Sequence, residues 1–246
     1  PFAANFPSQF NSSYNKKMQN KLLGIVITLI TFSDISFAVS DPCVDGANPD
    51  GCLIETTGIN YTLTGDITTE GNYRHGYYLK GDFGNDNSDS NNITITGNIT
   101  TEGGAAFGIV LSQSDNNDII LNGNISTTGG NAHGINLDGQ NTYNTFTLTG
   151  DISTTDGEGL WLYTSDNNTI NMTGDITTSG TGSYAIYNYY TSTGNTFALG
   201  GVVSGGILNA GTNTVITNTG SIDAITNSGT LTTLTNTGTL NALDNS

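Results

Sequence analysis

Asn91-Asn92-Ile93-Thr94-Ile95-Thr96-Gly97-Asn98-Ile99 is the stretch that decides the fold. Close copies follow as Asn144-Thr145-Phe146-Thr147-Leu148-Thr149-Gly150-Asp151-Ile152 and Asn168-Thr169-Ile170-Asn171-Met172-Thr173-Gly174-Asp175-Ile176. The glycines of all copies are Gly65, Gly97, Gly123, Gly150, Gly174 and Gly201, spaced by 32, 26, 27, 24 and 27 residues. A period in this range marks a stacked-repeat architecture. Alternation with period 2 inside each copy makes it a strand rather than a helix.

Stacking the copies gives three apolar columns. Four residues before the glycine stand Tyr61, Ile93, Ile119, Phe146, Ile170 and Phe197; two before it, Leu63, Ile95, Leu121, Leu148, Met172 and Leu199. Two after it stand Ile67, Ile99, Ile125, Ile152, Ile176 and Val203. These columns share one side of the strand, and the Thr, Asn, Asp and Ser columns between them take the other. A second short strand follows in each copy, as in Gly108-Ile109-Val110-Leu111 and Gly159-Leu160-Trp161-Leu162. A single copy has too little apolar surface to offset the ordering of its own backbone, so copies must bury their faces against one another. The expectation is an all-β, right-handed parallel β-helix of about six coils of 24–32 residues, rising about 4.8 Å per coil. Asn91, Asn117, Asn144, Asn168 and Asn195 each fall six residues before the glycine, a candidate ladder of stacked amides.

From Asn209 onward the period is nine: Asn209, Asn218, Asn227 and Asn236 each open a nonapeptide with glycine at its third place. Three nines make 27, so the tail, residues 209–246, is expected to continue the solenoid with three nonapeptides per coil. The chain stops two residues into another copy, which predicts a longer protein. Residues 60–208 are the long-coil region.

The front end reads differently. Lys16, Lys17 and Lys21 precede an apolar run, Leu22 to Phe32, and then Ser36-Phe37-Ala38. Basic, apolar and small-residue segments in that order describe a secretory signal peptide cleaved after Ala38. The run is too short to span a bilayer. Residues 1–17 are irregular, and Met18 is a plausible start. Cleavage leaves Arg74 and Lys80 against 20 of the 21 acids, a net charge of −18. Nucleic acid and anionic membrane are poor partners for such a surface. Cys43 and Cys52 lie in the segment 39–59, and export to an oxidising compartment predicts a disulfide between them.

The signal peptide, the Gly/Asn/Thr-rich repeats, the Asn-Ser-Gly-Thr-Leu tail motif and the scarcity of Lys, Arg and Cys resemble the passenger region of Gram-negative autotransporters, the type V secretion proteins, over about residues 39–246. That resemblance implies cell-surface or extracellular display, an adhesive role towards a host or community glycan or protein, and a C-terminal outer-membrane barrel in the full-length gene. The repeat is also similar to that of polysaccharide-active β-helix enzymes, which makes a lyase or hydrolase the alternative reading.

The residues carry no convincing catalytic set, and no enzyme, metal site or cofactor is expected. His75 and His133 occupy equivalent places directly before the glycine of the second strand, so repeat register accounts for them as surface-corner residues. Asp156 and Glu158 are the nearest acid pair and fall in a turn, whereas hydrolysis needs clustered carboxylates on one face. The column Asp66, Asn98, Asn124, Asp151 and Asp175 offers oxygen ligands that suit calcium, but without calcium-repeat loops it reads as a polar ladder. Thr-x-Thr pairs such as Thr62/Thr64 and Thr147/Thr149 suggest ice binding, yet Ile120 and Asn171 interrupt the array. The remaining candidate is aromatic. On the outward face of the second strand stand Tyr78, Trp161 and Tyr187, beside Tyr163 and Tyr189, and exposed aromatic patches mark ligand contacts.

Overall fold

Each strand of the repeat pairs in parallel with its counterpart one coil away. The computed structural model describes residues 52–81 and 89–246, which lie within one unit, Pro42–Ser246. Three all-parallel sheets wind together as a right-handed parallel β-helix. The first sheet has nine strands, from Cys52–Ile54 to Leu243–Asn245. The second has eight, from Asn60–Thr64 to Leu231–Asn236, and the third eight, from Ile67–Glu70 to Thr239–Leu240. Ala38 and Cys43 lie outside the described residues. Cys52 opens the first sheet, is buried and is disulfide-bonded.

The repeat phrase is two strands, not one. Asn92–Thr96 belongs to the second sheet and Ile99–Glu102 to the third, with the corner at Gly97 and Asn98. Alternation survives the corner because the glycine occupies an inward phase and fills it with no side chain. A β-carbon on Gly97 would collide with the carbonyl oxygen of Gly65, and one on Gly150 with that of Gly123. The corner glycines therefore stack backbone on backbone, a close approach only glycine permits. All three predicted apolar columns line the core, with Tyr61 and Ile67 partly buried at its start.

The stack is closed by buried polar groups as well. Asn117, Asn144 and Asn168 each donate an Nδ2 hydrogen to the Oδ1 of the next asparagine, ending at Asn195. Asn91 departs from this pattern. Its Oδ1 accepts the Ile59 N–H, while its buried Nδ2 has no partner among the described residues. Inside the third sheet, the hydroxyls of Thr101 and Thr127 donate to the carbonyls of Ala106 and Ala132, pinning the loop that leads to the first sheet.

The tail continues all three sheets, but two nonapeptides close a coil rather than three. Ile207 pairs with Ile225, Val215 with Thr233 and Ser221 with Thr239, each pair 18 residues apart. Most of the missing length comes from one corner. Between the third sheet and the first, Ile67 to Tyr77 and Ile99 to Ile109 each span ten residues, whereas Val203 to Ile207 spans four and Ile222 to Ile225 three.

Candidate functional site

That long corner carries the site. Two residues before the first-sheet strand stands His75, Phe107, His133, Glu158 or Tyr184 in successive coils. Backbone bonds hold these positions in line: Gly76 N–H donates to the Phe107 carbonyl, Gly108 N–H to His133, Gly134 N–H to Glu158 and Gly159 N–H to Tyr184. Next to this column runs the outward face of the first sheet, where Tyr78 pairs with Val110, Val110 with Asn136, Asn136 with Trp161 and Trp161 with Tyr187.

Rings from the two columns join into one continuous file. His75 stacks on Phe107 at 5.0 Å, and Phe107 on His133 at 5.0 Å, with interplanar angles of 9° and 11°. The fourth coil has Glu158 instead of a ring, and the file steps sideways onto the sheet, where His133 meets Trp161 at 4.5 Å. Trp161, Tyr187 and Tyr189 then form a triangle with centroid separations of 5.5, 5.4 and 6.4 Å. Trp161 and Tyr189 are nearly parallel, at 16°, and Tyr187 is inclined to both. Tyr163 and Tyr190 extend the cluster from Tyr189 at 5.1 and 4.3 Å, and both are exposed.

Four of the five aromatic residues singled out in the sequence, Trp161, Tyr163, Tyr187 and Tyr189, come together. Tyr78 does not touch them. It lies edge-on to His75 at the far end of the file, with Val110 and Asn136 between. Sequence reasoning missed Phe107, Tyr184 and Tyr190, and missed the histidines as ring partners. For His75, Phe107, His133 and Tyr184 the shared place directly before the small residue that leads into the strand was the available signal.

His133 is not a surface-corner residue, because it is only 3% exposed. Its Nδ1 lies 3.0 Å from the Glu158 backbone N and 2.7 Å from Glu158 Oε2. His75 shows the same backbone arrangement without the acid, its Nδ1 accepting the Phe107 N–H at 3.1 Å. Burial raises the Tyr187 hydroxyl above its ordinary pKa, with the Glu158 charge adding to it. The Tyr189 hydroxyl is raised first by its hydrogen bond with Tyr190 and then by burial.

The other candidates resolve differently. In the oxygen column, Asp66 accepts the Asn98 N–H, Asn98 that of Asn124, Asn124 that of Asp151 and Asp151 that of Asp175. These oxygens serve the backbone of the next coil. Among the described residues, no group of three or more His, Cys, Asp or Glu side chains could hold a metal ion. Asp156 is exposed while Glu158 is buried against His133, so the two acids occupy different environments. Registered pairing places Ile120 beside Thr94 and Asn171 beside Thr147, which breaks the threonine array.

Comparison with family models, with curated proteins and with solved structures gives no match.

Proposed function

We propose that the chain is an exported β-helix passenger segment, displayed at the cell surface or released, with an adhesive and non-enzymatic role. Its contact face is the aromatic cluster of the first sheet. The observation that carries this reading is the joining of Trp161, Tyr163, Tyr187, Tyr189 and Tyr190 on the outer side of a sheet whose inner side already packs the core. Rings not needed to close the core offer large, rigid contact area to a glycan or protein. The acidic surface keeps displayed copies soluble and apart. The autotransporter resemblance supplies the export route and the outer-membrane barrel expected in the full-length gene.

The test is adhesion of cells displaying the full chain. Trp161→Ala combined with Tyr187→Ala should abolish attachment while leaving display intact. Unchanged attachment would sink the reading.

The Glu158–His133 pair beside Trp161 favours the alternative, a polysaccharide-active β-helix, but both groups are buried and bonded to each other. New chain ends after incubation with uronic-acid polysaccharides would establish that activity.

A further inference from the structure

We propose that the Trp161–Tyr187–Tyr189 face takes cationic side chains of a basic, extended polypeptide. This rests on the contact-face reading above and narrows its ligand to a protein segment bearing Lys or Arg.

Three features converge on that ligand. Aromatic faces carry negative potential and attract ammonium and guanidinium groups, tryptophan most strongly. Here three such rings lie within 6.4 Å of one another, two of them near-parallel and the third inclined between. The surrounding charge has the same sign. Asp138, which is exposed, pairs in register with Tyr163, and Asp166 ends the strand that carries Trp161 and Tyr163. The only Lys and Arg among the described residues, Arg74 and Lys80, sit at the other end of the file, and Lys80 faces Glu55 at 3.9 Å. Among the described residues, neither Arg74 nor Lys80 competes for the cluster. Finally, a chain with a net charge of −16 draws basic partners in and repels acidic ones.

Shape agrees with charge. Trp161 and Tyr187 stand in register on neighbouring first-sheet strands, about 4.8 Å apart, so an extended segment laid along these strands meets rings from both. A neutral glycan would share the rings but gain nothing from the carboxylates, and an acidic glycan would be repelled.

The chain has one tryptophan, and it stands in the cluster, so its emission reports occupancy directly. The full-length protein is titrated with an oligo-arginine peptide, an oligo-glutamate peptide and a neutral β-linked oligosaccharide. The expected result is a change in Trp161 emission with oligo-arginine alone. Its affinity should fall about tenfold in Tyr187→Leu/Tyr189→Leu, which leaves the net charge unchanged. Tyr163→Leu/Tyr190→Leu serves as a second variant if the first melts differently from the parent. Equal affinity in parent and ring variants would mean unspecific attraction to a polyanion and overturns the proposal. A response to the oligosaccharide and not to the peptide overturns the cationic ligand while leaving the contact face standing. No response to any probe, together with attachment that survives ring loss, overturns both.

Discussion

The side-chain amide of Asn195 donates to Oδ1 of Asn188 at 3.0 Å, and that bond joins two asparagine ladders into one. The first ladder reaches Asn195 from Asn117 through Asn144 and Asn168. The second leaves Asn188 for Asn209, Asn227 and Asn245. Every amide in the series donates towards the next member, so each bond polarises its neighbour in a dry interior. The long coils and the short tail coils are thus tied by a polar thread as well as by their sheets.

Breaking the thread at its junction should be costly. Asn195→Ala strands the buried Asn168 N–H, which donates to Asn195 Oδ1 at 2.9 Å. Each stranded group should cost about 1–3 kcal/mol, read as a lower denaturant midpoint. Asn171→Ala, on the outer side of the same sheet, should stay within about 0.5 kcal/mol. Equal effects from the two would refute the ladder's role.

Gly150→Ala drives a methyl group into the Gly123 carbonyl. Overpacking of this kind should remove about 1–3 kcal/mol. Gly130→Ala meets only the Asp156 carboxylate, at 3.6 Å, and should be nearly neutral. Thermal melts of the two variants give the comparison.

His133→Ala removes the ring between Phe107 and Trp161 and the acceptor of the Glu158 N–H. The buried Glu158 N–H then loses its acceptor, and a loss of about 1–3 kcal/mol should follow, with a change in Trp161 emission. His75→Ala should cost less, because that position is partly open to solvent. A silent His133→Ala would show that the ring file does not stabilise the sheet.

Alkaline titration tests the tyrosine cluster. Tyr187 and Tyr189 both have raised pKa values in the folded chain. Between about pH 10, where free tyrosine ionises, and those raised values, the native state keeps protons that the unfolded state releases. Stability from this source is full below about pH 10 and falls as the pH climbs through the raised values. Replacing both by Phe should flatten the decline, and an unchanged slope would count against the assignment.

Chelation should leave the melting temperature where it is. The Oδ1 atoms of Asp66, Asn98, Asn124 and Asp151 each already accept a backbone N–H. A downward shift on adding chelator would restore the calcium reading.

The core was legible because its signal is local. Ile93, Ile95 and Ile99 stand two and four residues apart, and the same phrase recurs in every long coil. The corner at Gly97 was not legible as a corner, since alternation runs straight through it and the turn shows only when two glycines are seen to touch. Nor was the 18-residue tail coil. Nonapeptides announce their own period but not how many close a turn, which depends on whether the corner between the third and first sheets is present. The aromatic cluster was half legible. Trp161 and Tyr187 share a strand phase, whereas Phe107 and His133 reach them from a turn, where residue spacing carries no facing rule.

That turn has a practical consequence. The tail shows that the third and first sheets can be joined by as little as the step from Ile222 to Ile225, with both registers kept. The extra length of the early corners is therefore not required for winding, and its exposed tip is open to exchange. It is a natural cassette, so a foreign epitope or binding loop grafted between the exposed Thr181 and Gly182 would be presented with the buried ring partners of the corner left in place.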